Sequence, residues 1–221
     1  MKKHNALSIL LYVLFVFIYS DIVVATQPAY LADLPSGFGP YDYTDPIAWK
    51  NLNVVEKYHF DDGVRSFRRG LNGSVWGDIN YTLRAFPNHH LALEAMVRLL
   101  RQKDSYMTYQ KRKILYSRMP KEVNAEAYFK KAIKFSPGDS KTVFLYGIHL
   151  HKTKKYKEAL KQYKVAESLG LVSADLSYNF GLLYLKLGSP EKAFKYAKKA
   201  YAQGHPLPAL REKLIKMNVW E

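Results

Sequence analysis

Seven histidines are the side chains best suited to acid–base or metal chemistry: His4, His59, His89, His90, His149, His151 and His205. His89 and His90 are adjacent, so on a helix their side chains point about 100° apart and chelate one ion poorly. Segment 59–62 (HFDD) has ligand-type residues, but an N-cap role for its aspartates is the simpler interpretation. The chain contains no cysteine and no recognisable phosphate loop or nucleophile elbow. We therefore expect no catalytic residue, metal site or cofactor.

Segment 103–120 combines aromatic with basic side chains, which would suit the binding of an anion. The residues concerned are Tyr106, Tyr109, Tyr116, Lys111, Arg112, Lys113 and Arg118. Ammonium and guanidinium groups beside aromatic rings favour a negatively charged partner with stacking surfaces. The alternative interpretation is an extension of the preceding helix, or a basic loop without a dedicated site.

The elements that must position these residues follow from a period of 34 residues between positions 121 and 205. Small residues recur in one register as Ala125, Ala159, Ala193; Ala132, Ala166, Ala200; and Gly147, Gly181. A unit of this length holds two helices of about 13 residues, and neither buries its apolar face until the next unit stacks on it. The pattern predicts an all-α fold of stacked helix-turn-helix repeats.

Segments 146–169 (YGIHLHKTKKYKEALKQYKVAESL) and 178–206 (YNFGLLYLKLGSPEKAFKYAKKAYAQGHP) resemble tetratricopeptide repeats, known as TPRs. The resemblance implies a right-handed superhelix whose concave groove is lined by the first helix of each unit. It places Lys141, Phe144, Ile148, His151, Tyr178, Asn179 and Leu182 at a partner-binding groove. Asn179 matches a position at which the family often uses asparagine to hold a peptide. Because its counterpart in the previous unit is Leu145, we expect a mixed apolar and basic groove rather than a full carboxylate clamp.

The chain divides into four predicted segments: a signal peptide at 1–25, an extended lead-in and N-terminal helical cap at 26–86, TPR-like repeats at 87–205 and a capping helix at 206–221. Two similar stretches, FPNHH and FSPGD, place an insertion at about 103–120 within the first repeat. In the cap, one helix is predicted by the spacing of Ile47, Trp49, Leu52, Val55 and Tyr58, and a short second helix by DGVRSFRRG. The wider combination of GPYDY, VEKYHF and YTLRAFPNHH resembles a group of exported bacterial TPR proteins of unassigned function.

Export is predicted by residues 1–25, in which Lys2 and Lys3 precede an apolar run of about 14 residues and small residues follow. We read this as delivery to the periplasm; the alternative is an uncleaved membrane anchor. The net charge is +15, and residues 81–221 hold 27 basic against 11 acidic side chains. Such an excess attracts anions, although surface lysines also serve solubility alone.

Two classes of function follow. The first is a non-enzymatic periplasmic scaffold or adaptor that binds a protein, a peptide or an anionic envelope component, with no nucleic acid expected. The second is an enzyme or an accessory subunit with a site between the N-terminal cap and the repeats. The second class predicts that His59, Asp61, His89 and His90 meet in one cleft.

Overall fold

The computed structural model describes residues 27–220, so the predicted signal peptide lies outside the described residues. Between these limits the chain forms α-helices and short 3-10 turns without a β-strand, which confirms the predicted all-α class. The helices are α1 (Trp49–His59), α2 (Asp62–Arg65), α3 (Val75–Ala85), α4 (His90–Arg101), α5 (Tyr109–Tyr116), α6 (Ala125–Phe135), α7 (Ser140–Lys152), α8 (Tyr156–Ser168), α9 (Ala174–Lys186), α10 (Pro190–Ala202) and α11 (Ala209–Lys216).

The longer helices pair as antiparallel hairpins, α1 with α3, α4 with α6, α7 with α8, and α9 with α10. The last two hairpins close through tight turns at 153–155 and 187–189, in which Lys154 and Gly188 both adopt positive φ. The 34-residue period therefore extends to backbone conformation at the turns. The first two hairpins instead contain long connections, 60–74 and 102–124, which hold α2 and α5.

Both alanine series lie on the second helices α6, α8 and α10, and all six residues are buried. The two glycines lie on the first helices α7 and α9. A Cβ atom on Gly147 would stand 2.5 Å from the ring of Tyr163 in α8, and one on Gly181 would overlap Leu210 in α11. The recurring small residues therefore mark the closest approaches between packed helices, and the stacked-repeat fold is confirmed.

The N-terminal cap differs in detail from its prediction. Helix α1 forms where expected but fully buries only Val55 of the predicted apolar stripe, whereas Ile47 is 83% and Trp49 55% exposed. The predicted second helix is reduced to the single turn of α2, which Asp61 caps by accepting the N–H of Val64 at 3.0 Å. Phe67 then reverses the chain at φ 61°.

Residues 27–45, which we call the strap, cross the first two hairpins. The Tyr41 N–H donates to the Ala85 carbonyl at 2.8 Å, and the Arg84 side chain donates to the carbonyls of Ala32 and Asp33. From the second hairpin, Lys131 Nζ donates to the Leu31 carbonyl at 2.6 Å. At the other end of the molecule, α11 buries Leu210 and Leu214 against α9 and α10.

Candidate interaction surfaces

The first helices of the hairpins line two neighbouring cavities. One, of about 260 Å³, lies between α4 and α7 and is floored by Val97, Leu145 and Ile148. The other, of about 560 Å³, lies between α7, α9 and α11 and is floored by Tyr178, Leu182, Leu185 and Met217. We call the two together the groove. Ile148 and Leu182 are 34 residues apart and hold equivalent places in successive hairpins.

The rim of the groove is basic. Arg98, Arg101 and Lys152 border the first cavity beside one acid, Glu94. Lys186, Lys213 and Lys216 border the second, whose lining contains no acidic side chain. The mixed apolar and basic character expected from the sequence is therefore present at this surface.

Two histidines in the groove add little to its charge. Burial lowers the pKa of His149, and burial together with nearby Lys186 and Lys152 lowers the pKa of His151. Both imidazoles are therefore neutral at neutral pH, and the positive potential of the groove comes from its lysines and arginines.

The predicted groove residues separate into lining and core positions. Ile148, His151, Tyr178 and Leu182 line the groove. Phe144 does not: it is 1% exposed and its ring packs against Tyr163, so its assignment to the binding surface is wrong. A helix turning 100° per residue puts Phe144 on the edge of the exposed arc, where Tyr163 of the partner helix α8 covers it.

Lys141 and Asn179 are committed to local contacts. Lys141 Nζ lies 5.3 Å from the centre of the Phe144 ring, in a cation–π arrangement. The Asn179 side-chain amide donates to the Asp175 carbonyl of its own helix at 2.8 Å. A bound peptide would have to displace this bond before Asn179 could hold it.

Sequence reasoning expected a partly basic groove but named none of the residues on its rim. Lys152 and Lys186 are 34 residues apart and occupy the last residue of α7 and α9, as Arg101 does in α4. That repeat of basic helix ends is the signal that predicts the rim. Lys213 and Lys216 on α11 carry no such repeat and depend on how the terminal helix packs.

Segment 103–120 is built around α5 rather than an extension of α4. Lys111 Nζ donates to the Phe67 carbonyl at 2.7 Å, and Arg112 donates to the Lys103 carbonyl at 3.2 Å. Of the three basic residues predicted to bind a partner, Lys111 therefore fastens α5 to the N-terminal cap, and Arg112 bonds within the insertion itself. The third, Lys113, lines a shallow depression of about 360 Å³ with Tyr109.

The four residues that an enzyme-like site would unite have separate partners. His59 Nδ1 lies 3.0 Å from Asp78 Oδ1 and its ring stacks on Tyr81. Asp61 caps α2 and pairs with Arg69 at 2.6 Å. His59 borders a cavity of about 580 Å³ with Asn72 and Arg118, but Asp61 is not part of its lining.

His89 and His90 lie away from that cavity. His89 is fully buried, with Nε2 3.1 Å from Glu56 Oε1 and Nδ1 accepting the Ala92 N–H. Burial lowers the pKa of His89, so the ring is neutral and donates its Nε2 proton to Glu56. His90 Nε2 is 2.8 Å from Asp139 Oδ2. The predicted convergence of these residues in one cleft is wrong.

Asp139, the partner of His90, belongs to a polar cluster that joins the strap to two turns, the one between α3 and α4 and the one between α6 and α7. We call this the junction cluster, and its members are Asp42, Asn88, His90, Ser136 and Asp139. The amide of Asn88 donates to Asp42 Oδ1 at 2.8 Å and to Asp139 Oδ2 at 3.0 Å, while its oxygen accepts the Tyr43 N–H. Burial pushes the pKa of Asp139 upward, but hydrogen bonds from His90 and Thr142 outweigh it and lower this pKa to about 2. The cluster therefore holds the strap to the turns that precede α4 and α7.

Residues 27–220 were also considered for metal-ligand groups and for membrane-spanning helices. In that part of the chain no group of three or more histidine, aspartate or glutamate side chains is placed to hold a metal ion. No helix there is long and apolar enough to cross a membrane.

Comparison with known proteins finds likenesses among solved structures alone, where fifteen chains match. No protein-family model matches the chain. No curated protein sequence matches it either. Among solved structures, one titled "MamA MSR-1 C2" is similar, with 16% sequence identity and a TM-score of 0.39, covering 76% of this chain and 73% of that chain.

Proposed function

We propose that this protein is an interaction scaffold whose groove binds a segment of a partner protein that carries both acidic and large apolar side chains. The observation that carries the proposal is the floor of Ile148, Leu182 and Leu185 between two rims that are almost wholly basic. An apolar floor stabilises a bound side chain by roughly 25 cal/mol for each Å² it buries. The basic rim adds long-range attraction for acidic segments and rejects basic ones.

The groove also favours binding over chemistry. Its two histidines are neutral and partly buried, and His151 is held 3.3 Å from the Tyr163 hydroxyl. The charged groups of its rim are the permanent cations of lysine and arginine, which bind carboxylates without exchanging protons near neutral pH. A scaffold needs such a surface.

The test is selection of random twelve-residue peptides displayed on phage against the immobilised protein. We expect the recovered peptides to be enriched in aspartate or glutamate beside leucine or phenylalanine, and their binding to weaken as salt is raised. The triple variant Lys186→Glu, Lys213→Glu, Lys216→Glu should lose them.

The matched control reverses three exposed lysines of α8 instead: Lys157→Glu, Lys161→Glu and Lys164→Glu. It changes the net charge by the same amount on a helix that does not line the groove, so it should retain the selected peptides. Peptides without acidic enrichment, or equal losses in the two triple variants, would refute the proposal.

We also propose that the protein acts outside the cytoplasm, because the charged start and short apolar run of residues 1–25 have the form of a secretory signal. Cell fractionation with N-terminal sequencing of the recovered protein tests this separately. A chain found in the cytosol with residues 1–25 intact would reject export and leave the groove proposal standing.

A further inference from the structure

The outermost helix of the N-terminal cap, α1, carries large apolar side chains that the fold does not cover. Ile47 is 83% exposed, Trp49 55%, Val54 49% and Tyr58 52%. At 100° per residue, Val54 and Tyr58 lie about 40° apart on α1, and together with Ile47, in the 3-10 turn Pro46–Ala48 just before the helix, they form the stripe. From Ile47 to Tyr58 this stripe is about 16 Å long at 1.5 Å per residue.

The side of α1 that carries Val55 and Glu56 packs against the fold, whereas Trp49 lies about 140° from Val54 and 180° from Tyr58 and so stands outside the stripe. Val55 is 1% exposed and packs with Leu34 and Phe86, and Glu56 turns inward to His89. The helix cannot therefore rotate to bury its apolar stripe without giving up these contacts. Terminal helices of repeat arrays normally present a polar outer face to water, so this stripe needs another explanation.

The charges beside the stripe restrict what can cover it. Between Ile47 and Tyr58 the charged residues are Lys50, Lys57 and the inward-facing Glu56, so the outward arc is wholly basic. Lys57 Nζ lies 5.1 Å from the centre of the Tyr58 ring. Tryptophan and tyrosine beside lysines that can extend past them are typical of helices lying at a membrane–water interface.

We infer that the outward face of α1 rests on an anionic lipid surface. A second copy of this chain fits poorly, because both this face and the groove are basic and would repel each other. None of the four cavities described above is lined by any of the four exposed apolar residues. A lipid surface accepts exposed apolar side chains without a complementary cavity in the protein. This inference is independent of the groove and its peptide.

Vesicle flotation of the full chain tests the inference, with vesicles of phosphatidylcholine alone or of equal parts phosphatidylcholine and phosphatidylglycerol. We expect binding to the anionic vesicles to fall about tenfold or more in the triple variant Ile47→Ser, Val54→Ser, Tyr58→Ser. The double variant Lys50→Glu, Lys57→Glu should lose the preference for anionic lipid. Since all five residues are exposed, thermal melting by circular dichroism should match the wild type in both variants.

The matched control is the double variant Val172→Ser, Leu207→Ser, which removes exposed apolar side chains far along the chain and should bind vesicles normally. Because residues 1–25 contain their own apolar run, a local readout is also needed. Lipids brominated on their acyl chains should quench the tryptophan fluorescence of the variant Tyr58→Trp, which reports from the stripe itself, more strongly than that of the wild type. Vesicle binding without this added quenching would overturn the inference.

Two other outcomes would also overturn it. One is a concentration-dependent self-association, seen by analytical ultracentrifugation, that the triple serine variant abolishes. The other is equal binding of wild type and triple variant to anionic vesicles.

Discussion

Gly147 is the residue at which the closest helix approach of the third hairpin can be tested by a single methyl group. In an exposed helix, replacing glycine by alanine stabilises by about 1 kcal/mol. Here the new Cβ would stand 2.5 Å from two ring atoms of Tyr163, which is fully buried and has no room to withdraw. We therefore expect Gly147→Ala to lower the free energy of unfolding by about 1–3 kcal/mol. Urea denaturation followed by circular dichroism measures the change.

Gly138→Ala is the matched control, because no atom lies within 4 Å of the Cβ it would add. That variant should unfold within about 0.5 kcal/mol of the wild type. If Gly147→Ala were as stable as the control, the small-residue period would not mark helix contact.

Asp139 gives the fold a pH dependence whose sign follows from its surroundings. Its pKa falls from an ordinary 3.8 to about 2, since hydrogen bonds from His90 and Thr142 outweigh burial. The unfolded chain therefore takes up this proton first, so the stabilisation is complete above pH 4 and is lost as pH falls to about 2. A shift of this size corresponds to about 2 kcal/mol.

The comparison is with Asp139→Asn, which cannot titrate. Chemical denaturation between pH 5 and 2 should show a shallower loss of stability in this variant than in the wild type, although the variant is less stable at pH 5. Parallel curves would mean that the Asp139 carboxylate does not carry the effect.

At the level of elements, local periodicity predicted the helices, and contacts distant in sequence escaped it. The spacing of Ala125, Ala159 and Ala193 located α6, α8 and α10, because each unit repeats the same local packing. It failed for Phe144, which is buried against Tyr163 of the partner helix α8, 19 residues further along the chain. The junction cluster was not predictable either, since its bonds join residues 45 to 94 positions apart, and no local pattern reports such a pair.

Helix α11 covers the C-terminal end of the array, and weakening its packing should affect mainly the helices next to it. Leu210 is fully buried and occupies the space beside Gly181. Leu210→Ala should cost about 2–5 kcal/mol by leaving a cavity against α9 and α10. Because each repeat contacts mainly its neighbours, hydrogen exchange should speed up in α9 and α10 before α3 and α4.

The control for α11 is Leu207→Ala, a residue 56% exposed just before the helix. It should change the unfolding free energy by less than about 0.5 kcal/mol. An equal increase of exchange throughout the chain after Leu210→Ala would show that the array unfolds as one unit instead.

Across the whole molecule, the two halves are held together differently. The last two hairpins pack directly through tight turns, whereas long connections separate the helices of the first two. The strap compensates by bonding to α3 and α6, and the junction cluster fixes it to both repeat junctions. The N-terminal half should therefore depend on a few buried polar bonds and the C-terminal half on apolar packing.

Asn88→Ala tests whether the N-terminal half depends on these polar bonds. The change removes one amide hydrogen bond from half-buried Asp42 and one from buried Asp139, and it leaves the Tyr43 N–H without its acceptor. We expect a loss of about 2–4 kcal/mol, because unsatisfied buried groups keep their desolvation cost. Hydrogen exchange measured by mass spectrometry should rise sharply at residues 39–45 and in α3, while α9 and α10 keep their protection.

Asn53→Ala, at an exposed position of α1, controls for loss of an asparagine and should leave exchange unchanged. If Asn88→Ala instead increased exchange in α9 and α10 as much as in the strap, the junction cluster would be stabilising the entire array rather than its N-terminal half. Hydrogen bonds that act only locally cannot alter helix packing two hairpins away.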